Sequence, residues 1–188
     1  SLPDEGKTFV SLNLAMSIAS ERDSRLVLVD ADVAKAHLSD VLGLGDAPGL
    51  LDLLSKDGLT IDDVIVATSI PNLYFIPAGR SSAGAPELMA SRRMEQVADE
   101  LSARFSDAIT LFDSSPVLLT NESQVLAKLV GQILLVVRAN HTPRPAVLES
   151  IGLLNSNNIG CILNQFEGGS LEYYYGDRYQ YGRQREPQ

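Results

Sequence analysis

The octet Ser1-Leu2-Pro3-Asp4-Glu5-Gly6-Lys7-Thr8 constrains this chain more than any other stretch. It fits the pattern G-x-x-x-x-G-K-[ST] at every fixed position except the first, where Ser1 replaces Gly. Helix-forming residues follow at once: Phe9-Val10-Ser11-Leu12-Asn13-Leu14-Ala15. Successive N–H groups of such a loop can wrap an anion, and the helix points its positive dipole end at it. Lys7 is then placed to neutralise the β- and γ-phosphates of a nucleotide, and the Thr8 hydroxyl to ligate Mg²⁺. The bland alternative is a turn capping an ordinary helix, because Gly-Lys-Thr alone is common. Loops of this kind follow a core strand, so a strand is expected ahead of Ser1.

Two further motifs lower the odds of the bland alternative. Leu26-Val27-Leu28-Val29-Asp30-Ala31-Asp32 reads as a buried strand ending in two carboxylates. Both should leave the carboxyl edge of a sheet, where ligands of open α/β folds bind. Carboxylates gathered there need a cation, which a nucleotide-bound Mg²⁺ supplies; one of the two could instead cap the next helix. Ile109-Thr110-Leu111-Phe112-Asp113 repeats the arrangement, with Asp113 holding Mg²⁺ directly or through water. Loop, first carboxylates and second carboxylate arrive in the order an ATP-binding domain requires.

The rest of the chain supplies a matching frame. Strand-like runs at 25–31, 73–77, 108–112, 132–138 and 159–164 alternate with helical patterns at 7–21, 86–105, 122–129 and 144–154. That rhythm predicts βαβ units and an α/β fold, a mostly parallel central sheet with helices on both faces. Residues 43–72, rich in Gly, Asp and Leu, form a long connection with room for a short helix at 50–54. The expected division is a single ATP-binding domain over 1–165 and a flexible tail over 166–188. No apolar run approaches the ~20 residues of a membrane span. The opening residues are polar, with no basic start and apolar core, so no signal peptide is expected, and the single cysteine, Cys161, fits a reducing cytoplasm and reads as a small core residue. A net charge of −9 argues against non-specific binding to nucleic acid or anionic lipid, so membrane association would come through a partner or an upstream region.

The tail carries its own signal. Of six tyrosines, five lie between residues 173 and 181: Tyr173, Tyr174, Tyr175, Tyr179 and Tyr181. That segment has no Phe, Ile, Val or Trp, so the hydroxyl rather than the ring is being selected. A low-complexity sticky tail is the competing explanation.

The three motifs resemble those of the bacterial tyrosine kinases, regulators of capsule and exopolysaccharide synthesis within the MinD/ParA superfamily of P-loop ATPases. The likeness continues through Gly49-Leu50-Leu51-Asp52-Leu53-Leu54, Ile76-Pro77-Ala78-Gly79, Pro86-Glu87-Leu88, Val130-Gly131-Gln132-Ile133-Leu134 and Ile162-Leu163-Asn164. It is nearest to the exosortase-associated tyrosine autokinases. The resemblance implies a P-loop NTPase fold and ATP with Mg²⁺ as cofactors. It implies contacts to the nucleotide from Asp4, Glu5, Gly6, Lys7, Thr8, Phe9 and Asn164, and metal binding by Thr8, Asp30, Asp32 and Asp113. Lys7, Asp30 and Asp32 become the catalytic residues, with Asp30 orienting or deprotonating an incoming tyrosine.

The five tail tyrosines become autophosphorylation sites, modified between subunits of a homo-oligomer. A membrane-embedded polysaccharide co-polymerase is the implied partner, at the inner face of the membrane. Three departures stand out: Asp4 where Gly is frequent, Ser114-Ser115-Pro116 in place of Thr-Pro-Pro or Ala-Pro-Pro, and Gln165 where Lys is common. The rival readings are a MinD/ParA-type ATPase switch, which carries a lysine where this chain has Leu2, and a non-catalytic ATP-binding adaptor.

Overall fold

Apolar residues that run without polar interruption need cover on both faces, and β1 (Leu26–Ala31) is buried at all six positions. In the computed structural model, which describes residues 2–80 and 84–166, β1 lies between β3 (Leu73–Ile76) and β4 (Ile109–Ser114). Both pairings are parallel, with Leu26 opposite Leu73 and Ile109, and Asp30 opposite Asp113. A two-residue strand, β2 (Val66–Ala67), adds antiparallel to β3 and was not anticipated. Strands β5 (Ile133–Arg138) and β6 (Ile159–Asn164) form a separate parallel pair.

Alternate residues of β1 serve two cores. Val27, Val29 and Ala31 pack with α3 (Leu50–Ser55), α4 (Ile61–Val64) and α6 (Arg92–Arg104) through Leu50, Leu53, Ile61, Met94, Val97 and Leu101. Leu26 and Leu28 face α1 (Lys7–Ser20), meeting Ala15 and Ala19, and also meet Leu38 of α2 (His37–Val41). A third cluster joins Leu135 of β5 to Leu154 of α8 (Arg144–Leu154) and Ala127, just past α7 (Glu122–Leu126).

The helical pattern predicted over 86–105 is two helices, α5 (Ala85–Met89) and α6. Ser91 adopts an extended backbone and accepts a hydrogen bond from Met94 N, so a new N-cap interrupts the pattern. Cys161, expected in the core, is exposed on β6, which is paired on one side only. Among the described residues no helix is long and apolar enough to cross a membrane.

The predicted single central sheet is therefore two pieces. Strand β4 is an edge of the four-stranded sheet and β5 an edge of the pair. Between them lies a cavity of about 560 Å³, walled by both strands and by Val10, Leu14 and Ile18 of α1. Lys7, at the start of the loop helix, also lines it.

Candidate active site

The loop before α1 is shaped by two left-handed residues. Asp4 has φ +59° and Gly6 has φ +82°. Asp4 therefore occupies a conformation that Gly adopts without strain, which explains why Gly suits this place. Its side chain is exposed, away from the loop interior. Gly6 has a second constraint: a Cβ there would sit 2.3 Å from Asn164 Nδ2.

Glu5 is the residue sequence reasoning undervalued. Only 1% exposed, its carboxylate accepts hydrogen bonds from Leu2 N (2.7 Å) and Thr142 Oγ1 (2.6 Å). The second bond ties the loop to the segment after β5, where Thr142 Oγ1 also accepts from Arg138 N. The end of β6 adds two more ties, Asn164 Nδ2 to Glu5 O (2.8 Å) and Gln165 Nε2 to Asp4 O (3.2 Å). The β5–β6 pair is thus stitched to the loop by side chains rather than by strand pairing. Asn164, expected at the nucleotide, here braces the loop backbone.

Lys7 heads α1 and donates from Nζ to Leu2 O (2.7 Å). Burial holds its pKa below the ordinary lysine value, while the charges of Glu5, Asp113 and Asp32 pull the other way. Phe9, two residues on, is 66% exposed on the outer face of the helix.

The three predicted aspartates come together at the carboxyl edge of β1 and β4, and their donors distinguish them. Asp30 is fully buried. Its Oδ2 accepts from both Ser39 N (2.8 Å) and Ser39 Oγ (2.7 Å), and its Oδ1 from Asp32 N (3.3 Å). Burial pushes its pKa up to about 6, with the Ser39 hydrogen bonds opposing. Ser39 Oγ accepts in turn from Ala78 N (2.9 Å), linking the ends of β1 and β3. Asp32 receives one hydrogen bond on Oδ1, from Ser115 Oγ (2.7 Å).

Asp113 accepts from Ser11 Oγ on Oδ1 (3.0 Å), whereas its Oδ2 is buried with no hydrogen-bond partner. Burial raises the Asp113 pKa; the hydroxyls of Thr8 and Ser11, and the charge of Lys7, restrain the rise. Ser11, Ser39, Ser115 and Thr142 escaped sequence reasoning. Hydroxyl residues carry no periodic signature, and three of these bonds span 83 to 137 residues. The five tail tyrosines lie outside the described residues.

A buried carboxylate oxygen without a donor is costly unless a cation faces it. Asp113 Oδ2, beside Thr8, Asp32 and Lys7, therefore suits a divalent cation. Among the described residues no three His, Cys, Asp or Glu side chains could hold a metal by themselves. Phosphate oxygens and water would complete the coordination, as is usual for Mg²⁺.

A phosphate loop opening a helix, with carboxylates at the ends of adjacent parallel strands, defines a P-loop nucleotide-binding domain. Comparisons with known proteins narrow the class. EpsB of Ralstonia nicotianae, a proposed tyrosine-protein kinase, is 36% identical over 186 residues, covering 97% of this chain and 24% of EpsB. The tyrosine-protein kinase Wzc of Salmonella typhi is 31% identical over 182 residues, covering 93% of this chain and 25% of Wzc. The crystal structure of the VpsO kinase domain superposes with a TM-score of 0.80 at 32% identity, covering 88% of this chain and 81% of that one. MinD of Pyrococcus horikoshii, solved with Mg-ADP, gives 0.68 at 27% identity, covering 89% and 68%. No family model matches the sequence. The chain belongs to the bacterial tyrosine-kinase family, and it spans about a quarter of the length of the curated relatives named above.

Proposed function

We propose that this chain is the ATP-dependent catalytic domain of a protein tyrosine autokinase. The observation that carries the reading is the buried Asp113 carboxylate, near Lys7 and Thr8, whose Oδ2 meets no donor at hydrogen-bonding distance. It is the feature a Mg²⁺-nucleotide site needs and a helix-capping turn does not. Thr8, Asp32 and Asp113 would hold Mg²⁺, which when bound offsets phosphate charge and lowers the barrier to phosphoryl transfer. The backbone of Asp4 to Phe9 would cradle the phosphates, with Lys7 exchanging Leu2 O for a phosphate oxygen. Asn164 stays near enough to bear on the nucleotide through the loop it braces.

In the reaction a tyrosine oxygen forms a bond to the γ-phosphorus as the bond to the β,γ-bridging oxygen breaks and ADP departs. The phenolic proton passes to Asp30. Burial supports that role, since a carboxylate with a pKa near 6 is ionised at neutral pH yet more basic than an exposed one. The exchange replaces a Ser39 hydrogen bond with one from the tyrosine. The acceptors proposed are Tyr173, Tyr174, Tyr175, Tyr179 and Tyr181 of a neighbouring copy. Transfer within a homo-oligomer would then be concentrated by assembly.

A role in capsule or exopolysaccharide synthesis, with a membrane-embedded co-polymerase as partner, belongs to the same proposal and rests on the family resemblance. A strand running parallel between β4 and β5 and leading into the loop is part of the same proposal. It would complete one sheet and fill the cavity there.

Incubation with ATP and Mg²⁺ followed by phosphotyrosine detection tests the reading. Wild type should label and Lys7→Met should not. ATP hydrolysis without phosphotyrosine would favour the MinD/ParA-type switch. Binding without either reaction would favour the adaptor.

A further inference from the structure

Ser115 lies one residue beyond β4 and is only 4% exposed. Its backbone is anchored on both sides. Asp113 and Ser114 before it pair in register with Asp30 and Ala31. After it, Pro116 O accepts from Leu119 N (3.0 Å) and Thr120 N (3.2 Å), closing a turn. Ser115 O itself accepts from Ser123 Oγ in the first turn of α7. A hydroxyl has one hydrogen to give, and here it goes to Asp32 Oδ1. Asp32 Oδ2 receives no hydrogen bond from the described residues, and the charge of Asp32 is felt at Lys7.

We propose that Ser115 is a positioning residue, turning Asp32 so that Oδ1 is retained by the protein and Oδ2 is presented to the nucleotide-bound cation. The proposal rests on the ATP·Mg²⁺ reading of the site, though not on tyrosine being the acceptor. The contrast with the other two aspartates gives it content. Asp30 has both oxygens occupied, so it is not available in the same way. Asp113 is fixed by Ser11 from the loop helix itself. Asp32 follows its strand and has no such neighbour on α1. Its orientation therefore depends on a hydroxyl brought across from β4. Without that bond the carboxylate can rotate about its side-chain torsions, and cation binding would have to order it. Proline at this place could not supply the bond, so the Ser-Ser-Pro sequence after Asp113 acquires a function.

Calorimetric titration of the full chain with ATP, with and without Mg²⁺, tests the assignment in wild type, Ser115→Ala, Asp32→Asn and the double variant. Ser115→Ala should weaken ATP binding with Mg²⁺ by about tenfold, the size expected for a hydrogen bond to a charged group. Mg²⁺-free ATP should bind within about twofold of wild type, because the lost bond acts only through the cation ligand. Added to Asp32→Asn, Ser115→Ala should bring no further loss. Equal weakening with and without Mg²⁺, no change in either, or a full additional loss on the Asp32→Asn background would each overturn the proposal. Wild type failing to bind ATP·Mg²⁺ would instead refute the nucleotide site itself.

Discussion

Replacing Gly6 by Ala tests the geometry of the loop at a single carbon. At φ +82° an L-residue carries a left-handed penalty of roughly 1–2 kcal/mol. The new Cβ would lie 2.3 Å from Asn164 Nδ2, so that amide must move and give up its bond to Glu5 O. A lost hydrogen bond of this kind costs about 1 kcal/mol, so Gly6→Ala should destabilise by roughly 2–3 kcal/mol in all. Asn164→Ala already lacks the amide. In that background the same substitution should cost only the backbone part, roughly 1–2 kcal/mol. Urea denaturation of the four variants in chelator, fitted with a common slope, measures both values. Full additivity would mean that Gly6 and Asn164 do not meet, and the bracing of the loop by β6 would be wrong. A cost below about 0.5 kcal/mol in the wild-type background would remove the left-handed loop conformation as well.

The raised pKa of Asp30 makes folding oppose its ionisation, so its contribution to stability falls as pH rises from about 4 to about 6 and is constant above. A shift from 3.8 to about 6 corresponds to about 3 kcal/mol. Asp30→Asn should therefore gain on wild type across that interval in chelator-containing buffer, and a pH-independent difference would refute the buried-charge account. In a chain that carries the proposed strand ahead of the loop, amides of Ile109–Ser114 and Ile133–Arg138 should exchange slowly, because that strand would pair both edges; rapid exchange on the facing edges would exclude it. Mixing a Lys7→Met chain with an active chain whose five tail tyrosines are Phe should label the inactive chain, increasingly with concentration. No label in that mixture, with dilution-independent labelling of wild type, would establish transfer within one chain.

Periodicity made the frame legible. Apolar runs gave β1, β3, β4, β5 and β6 within a residue or two at most ends, and α8 to the residue. Misjudgements arose where a local interaction overrode the pattern. Ser91 reads as an unremarkable helix residue until its hydroxyl caps Met94 N and ends one helix to start another. The pair Val66–Ala67 is too short to carry an alternation, and only its partner Tyr74–Phe75 makes it a strand. Cys161 matched an apolar run, but the run could not reveal that its strand is an edge. Likewise, nothing in the order of strands announced the cavity between β4 and β5.

The site was legible to a different depth. Aspartates at strand ends are visible because strand and carboxylate are adjacent in sequence, and parallel register carries Asp30 and Asp113 to the same edge. What each carboxylate can do depends on donors from elsewhere in the chain. Asp30 has its oxygens filled by Ser39 and its own neighbour's N–H, so it must release a donor before taking a proton. Asp32 has one oxygen filled and Asp113 has one buried without a partner, which leaves those two facing any cation at the loop. The proposed division between a base and two cation ligands would thus rest on Ser39, Ser115 and Ser11 rather than on the aspartates alone. Removing the Ser39 hydroxyl would leave Asp30 less well compensated in its buried place and push its pKa further up. Removing that of Ser115 would free Asp32 to rotate. The same chemical change, one hydroxyl lost, would strike proton transfer in the first case and cation binding in the second.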